Sequence, residues 1–262
     1  MKKIIVIFFL FSKFIFAQSN FKLVKAVEIE SDFFVSDNQS NLYVAKGNEL
    51  TKFDKTGKQL YKYSNKNLGS IDFVDVSNQL KILLFYKNFS QAVFLDNTLS
   101  MSGTPLSFDQ IGFQQIQLAC TSHNNCLWIY DQQTFSIVRL NPKNEEMQRT
   151  GNLNNLLNIE LQPNFLLEHD NKVYINNPNT GILIFDIYGT YYKTIPLKNL
   201  QSFQPISEWV YYQSEQQIKA YNTKTTEEKE FILPQPDFDS FSLQMGNLFL
   251  KNKNKISIYA EQ

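Results

Sequence analysis

The residues best suited to chemistry are few. The chain has only two histidines, His123 and His169, in matching phrases: Ser-His-Asn-Asn at 122–125 and Glu-His-Asp-Asn at 168–171. With Asp170 or Glu168 beside them, two imidazoles could hold a transition metal. The competing reading is turn chemistry, because His, Asn and Asp all tolerate tight backbone conformations. A second set is acidic. Asp37, Asp72, Asp75, Glu168 and Glu208, gathered around one opening, would make a funnel for a cation, a small molecule or a glycan. No spacing of Ser, Asp and His implies a nucleophilic triad. Gly-x-Ser-x-Gly, His-Glu-x-x-His and Gly-rich phosphate-loop motifs do not occur in the sequence. We therefore assign no catalytic residue, no metal ligand and no cofactor.

Cys120 and Cys126 lie six residues apart around Thr121-Ser122-His123-Asn124-Asn125. In an exported chain this spacing favours a disulfide across the mouth of a hairpin, worth roughly 2 kcal/mol for so short a loop. Two free core-facing thiols are the alternative. Zinc would have only His123 for close company.

These groups hang on a repeated phrase. Residues 172–195 read as three strands: Lys172 to Ile175, Ile182 to Phe185 closed by Asp186, and Tyr191 to Ile195. Between the first two lies the dense turn cluster Asn176-Asn177-Pro178-Asn179-Thr180-Gly181. The phrase returns at 41–60, more loosely at 80–96, at 127–141 and at 209–222, and begins again at 248–259. An Asp or Asn closes the third strand at 54, 96, 141, 186 and 222, a mean spacing of 42 residues. Its side chain can accept backbone N–H bonds in the following turn. A spacing of that size fits four strands per unit, the size of a propeller blade, whereas sandwich strands show no returning phrase.

The strand chemistry agrees. Segments such as Leu80 to Tyr86 and Leu127 to Tyr130 are apolar at successive positions, as strands covered on both faces require. Residues 58–63, 145–149 and 227–231 carry the charge that an outer edge strand needs. Residues 99–116 carry an extra loop turning at Gly103-Thr104-Pro105. The sixth unit has only three strands, and Phe21 to Ile29 has no local partner. The expected fold is all-β: a six-bladed β-propeller of four-stranded antiparallel blades, its ring closed by the N-terminal strand completing the last blade.

Residues 1–17 have the form of a signal peptide. Lys2 and Lys3 precede the apolar run Ile4 to Phe11, and Ala17 stands before a cut at Gln18. The run is shorter than the ~20 residues a spanning helix needs. Residues 18–262 would then form one propeller domain, secreted or periplasmic, with no transmembrane segment. Removing the leader leaves 22 basic against 25 acidic residues, with no Lys/Arg cluster, which excludes an electrostatically driven nucleic-acid partner.

Residues 41–60 and 172–195 resemble NHL repeats. They share a Leu-Tyr-Val-like strand, a polar turn, and an apolar strand ending Phe-Asp before a Gly turn (Phe53-Asp54 with Gly57, Phe185-Asp186 with Gly189). Lys46 stands where that family often has Asp. The resemblance implies a six-bladed ring that binds proteins, RNA or small ligands. Some relatives are metal-using lyases or hydrolases. Fold analogy alone does not choose among these roles.

On such a ring the turns between second and third strands share one face with the blade-to-blade connections, and propeller sites usually open there. The two histidine phrases fall on the opposite face. The binding candidates are therefore Lys46, Asn48, Tyr86, Asn88, Phe89, Asp131, Asn176, Asn177, Asn179, Tyr212 and Asn252. Amides and aromatics of this kind suit contact with a protein, peptide or glycan, although Asn is also an ordinary turn former. The expected function is a non-catalytic, monomeric interaction scaffold that holds a protein or envelope component. The alternative is a small-molecule or glycan binder, or a metal-dependent hydrolase or lyase, working through the central channel.

Overall fold

A computed structural model of the chain describes residues 20–262. The expected leader, residues 1–17, lies outside the described residues. Six four-stranded antiparallel sheets follow one another along the chain, each ordered from an inner to an outer strand. The inner strands are Phe33–Ser36, Phe73–Asp75, Ile116–Ser122, Phe165–His169, Phe203–Ile206 and Ser240–Gln244, which defines blades one to six. The last blade takes its outer strand from the other end of the chain. Phe21–Glu28 pairs antiparallel with Lys255–Glu261, from Phe21 opposite Glu261 to Glu28 opposite Lys255. This closes the ring as expected and removes an open edge.

The apolar runs have a direct cause. In the second strand of blade two, Ile82, Leu84 and Tyr86 pack into the core shared with blade one. Leu83 and Phe85 point the other way, into the core shared with blade three. Successive side chains of a strand face opposite sides, so a strand covered on both sides is apolar throughout. Blade four repeats the division: Ile182 and Ile184 face blade five, while Leu183 and Phe185 face blade three. Each fully buried side chain of this kind contributes about 1.5–3 kcal/mol.

The repeated Asp/Asn positions do the turn work expected of them. Asp54 Oδ1 accepts from the N–H groups of Thr56 (2.8 Å) and Lys58 (3.0 Å). Asp96 does the same with Thr98 and Ser100. Asn141, Asp186 and Asn222 each accept two backbone N–H bonds. Blade two is the irregular one. Its outer strand is only Leu106–Ser107, and after Ser102 bonds the Phe94 carbonyl at 2.8 Å, residues 103–105 leave the sheet edge, with Gly103 at φ +80°. One short helix, Leu153–Leu157, stands in the connection from blade three to blade four. Asn152 caps it and Leu153 buries it. The periodicity gave no sign of it, because five residues make little more than one turn.

Candidate functional site

At the start of the inner strands, aromatic rings meet near the axis. Phe73 of blade two lies 5.7 Å from Phe165 of blade four, edge to face, and Phe165 lies 5.3 Å from Phe203 of blade five. Blades two and four are not neighbours, so Phe73 reaches past the inner strand of blade three. Rings therefore occupy the axial space at that level.

The other end of the inner strands is polar, and there the chemistry-bearing residues converge. Glu168, on the inner strand of blade four, points into blade three. Its Oε2 accepts from Ser122 Oγ (2.6 Å) and Trp128 Nε1 (2.7 Å). Its Oε1 accepts from the His123 backbone N–H (3.1 Å) and His123 Nδ1 (2.8 Å). Arg139, on the third strand of blade three, is buried at 7% exposure. It donates from Nε to Ser122 Oγ (3.0 Å) and from Nη2 to His123 Nε2 (2.7 Å), with its guanidinium 5.9 Å from the Trp128 ring centre. Arg139 Nη2 also lies 3.1 Å from His123 Nδ1 and donates to the His123 carbonyl at 3.2 Å, so the guanidinium is held against the whole residue. Burial alone would raise the Glu168 carboxyl. The hydrogen bonds from Ser122, His123 and Trp128 outweigh it and hold the group below the usual glutamate value.

Asp75 of blade two makes the matching tie on the other side of blade three, accepting from Thr121 N–H and Oγ1, both at 2.7 Å. Gln204 of blade five bonds the Leu243 backbone of blade six (2.9 and 2.6 Å), and Ser36 meets Ser242 at 2.7 Å. Together these ties stitch neighbouring blades at the inner rim. A depression of about 300 Å³ lies above them, lined by Ser77, Asn78, Ser122, His123, Asn124 and Glu168 among others.

The acidic funnel is not assembled. Asp37 is consumed by its own turn, accepting from Gln39 and Asn41 N–H groups and from Tyr43 Oη. Asp72 accepts the Lys87 N–H at 2.7 Å, and Glu208 pairs with Lys224. Nor are the histidines brought together. Glu168 and His169 are consecutive in a strand, so while Glu168 faces His123, His169 faces away. Its neighbour is Asp170, with Nε2 at 3.3 Å from Oδ2. No group of three or more His, Cys, Asp and Glu side chains among the described residues is placed to hold a metal ion.

The disulfide is corrected. Cys120 and Cys126 are free, buried thiols. Cys120 pairs with Trp128 and Cys126 with Ser122, which leaves the two cysteines diagonal across the hairpin. Diagonal positions lie about 7–8 Å apart, beyond the usual disulfide span. Burial pushes the Cys120 thiol well above its usual value.

Five of the loop candidates are corrected as well. Tyr86, Asp131, Asn176, Asn177 and Tyr212 are buried. Asn176 Nδ2 donates to Asn164 Oδ1 and the Leu200 carbonyl, both at 2.6 Å. Asn177 accepts from Gln162 N–H and donates to the Glu160 carbonyl. These amides tie two blade connections to blade four, and Asp131 holds its turn through Gln133 and Thr134. Lys46, Asn88, Phe89 and Asn179 are exposed, and Asn48 and Asn252 are half-buried, so six candidates remain on that face.

Arg139 was missed, and it left a signal: a lone charge inside an apolar strand must find a buried partner. Lys52 of blade one holds the same register opposite Tyr43 as Arg139 holds opposite Trp128. It donates to Asn97 of blade two at 2.9 Å. A second repeat also escaped notice. Asp32, Asp72 and Asp239, each just ahead of an inner strand, accept N–H bonds from Gly47, Lys87 and Lys253 at 2.6–2.7 Å.

Fold and rim ties together define a six-bladed β-propeller of four-stranded antiparallel blades. No protein-family model matches the sequence, and no curated protein matches it. Solved structures do. The extracellular domain of the one-component system BT4673 from B. thetaiotaomicron superposes with a TM-score of 0.56 at 13% identity, covering 87% of this chain and 32% of that one. This chain thus spans about a third of that domain's length. The Neurospora crassa Pan2 WD40 domain gives 0.65 at 9% identity, over 93% and 96% of the two chains. A catalytically inactive variant of virginiamycin B lyase from Staphylococcus aureus, with quinupristin, gives 0.57 at 11% identity, over 87% and 79%. Identities this low establish the fold alone. Among the described residues no helix is long and apolar enough to cross a membrane.

Proposed function

We propose that the chain is an exported, non-catalytic propeller of NHL-like repeats, a monomeric ring that holds a protein partner in the cell envelope. The observation that carries this reading is the saturation of the Glu168 cluster. A carboxylate offers about four lone-pair sites, and four donors already occupy them. Arg139 fills the remaining imidazole nitrogen. The groups most able to act as base, acid or ligand are spent on joining blades. The aromatic contacts at the axis weigh against the channel-based alternative, including the lyase chemistry of a structural neighbour.

The partner face is the one that carries Lys46, Asn88, Phe89 and Asn179. Phe89 is 47% exposed among polar turns, an apolar anchor within an adaptable polar surround. Export is supported by the leader-like residues 1–17. A cut after Ala17 would spare the closing strand, which begins at Phe21.

The test is a cross-link pull-down from envelope fractions with residues 18–262 as bait, beside a Lys46→Glu/Phe89→Ala variant. The expected result is a protein enriched by the first bait and lost with the second. Recovery of the same background proteins with both would overturn the reading. The intact mass of the exported protein checks the leader, and retention of residues 1–17 would refute cleavage.

A further inference from the structure

The irregularity of blade two creates a feature the rim ties do not use. Because residues 103–105 leave the sheet edge and the outer strand is only Leu106–Ser107, a groove of about 440 Å³ opens on the flank between blades two and three. Phe94, Leu106 and Ile111 supply apolar wall, and Pro142 of blade three closes the far side. Ser102, Thr104, Ser107 and Gln110 add hydrogen-bonding groups along its length. Lys81 is the one ionisable side chain lining it, among the described residues.

Lys81 is placed for an anion. Its ammonium lies 4.4 Å from the centre of the Phe94 ring, which orients it at the groove. Of its three donors, one reaches the Asn125 carbonyl at 3.2 Å. No carboxylate among the described residues pairs with it. Partial burial lowers the pKa of the amine, the signature of a cation that would gain from a partner. A polar lip beside an apolar wall suits backbone amides and side chains better than a bare hydrocarbon tail.

We propose that this groove binds the C-terminus of an extended peptide, with the terminal carboxylate on Lys81 and an apolar last side chain against Phe94. It is a second contact surface, independent of the Phe89 face, and it rests on the protein-binding reading only in the class of its partner.

The probe is a fluorescein-labelled hexapeptide, Gly-Ser-Gly-Ser-Val-Leu, with a free C-terminus, titrated in fluorescence anisotropy against residues 18–262. Saturable binding is expected, weakened about tenfold (about 1.4 kcal/mol) by C-terminal amidation or by Lys81→Gln, and retained by Lys81→Arg. Phe89→Ala should leave it unchanged, which separates this site from the other face. Equal affinity for the amidated peptide, no effect of Lys81→Gln in a protein of unchanged Tm, or no binding up to about 1 mM would overturn the proposal. So would a Tm raised by decanoate but not by the peptide, since that outcome assigns the groove to fatty acids.

Discussion

Replacing Glu168 with alanine tests the reading of the inner-rim cluster as a joint between blades. The change orphans four donors at once, but not equally. Trp128 is fully buried and Ser122 nearly so, so each loses a partner that water cannot easily replace, at about 1–3 kcal/mol apiece. The His123 side chain is 32% exposed, and water takes over its bond at small cost. Arg139 meanwhile loses the anion that neutralised its surroundings. A net loss of about 3–5 kcal/mol follows, the range seen when one partner of a buried charged pair is removed.

Urea unfolding followed by tryptophan fluorescence would read this as a drop of at least about 1 M in the midpoint. The effect must also depend on pH. The folded carboxyl lies below its ordinary 4.5, so the unfolded chain binds the proton more readily. The stabilisation is complete above that ordinary value and fades as pH falls through the folded one. The wild-type and Glu168→Ala midpoints should draw together as the pH falls below that ordinary value and through the folded one. A loss under about 1 kcal/mol at pH 7, or a gap that widens in acid, would refute the reasoning.

Other expectations follow from the same structure. Deleting residues 18–29 removes the seven register pairs that close blade six. At about 0.5–1.5 kcal/mol per backbone bond, the Tm must fall markedly, and an unchanged Tm sinks the closure argument. Gly181→Ala would place Cβ 2.1 Å from the Ile195 carbonyl oxygen at φ +120°. Its loss should exceed about 4 kcal/mol, whereas Gly151→Ala, with nothing within 4 Å, should be neutral by thermal melting. Asp186→Ala should cost about 1 kcal/mol in chemical denaturation while Asp186→Asn costs little, because Oδ1 is the working atom and Asn already serves at 141 and 222. Thiol titration of the denatured, unreduced protein should count two free thiols, and a count of zero would restore the disulfide.

Much of the fold was legible in the chain because it is written in local terms. A strand covered on both faces must be apolar throughout, a turn after it needs an acceptor side chain, and both demands recur blade by blade. Leu83 and Leu84 show the first, Asp54 and Asp186 the second. The helix at Leu153–Leu157 was not legible, being a single event within a repeat, whereas the irregular edge of blade two showed in the extra loop turning at Gly103-Thr104-Pro105.

The site was legible only in fragments. The sequence by itself made His123 and Glu168 noticeable, and it determined the number of blades, the turn chemistry and the closing strand. Only the tertiary structure decided that Glu168 faces His123 while His169 faces away, and that Arg139 and Trp128 complete the group across 40 residues or less of chain. It also decided that Asn176 and Asn177 hold connections together instead of greeting a partner, and that the two cysteines stand diagonal. The physical reason is common to all of these. Repeat and periodicity specify which face of a strand is covered, but which neighbour a polar side chain meets depends on how one blade stacks on the next.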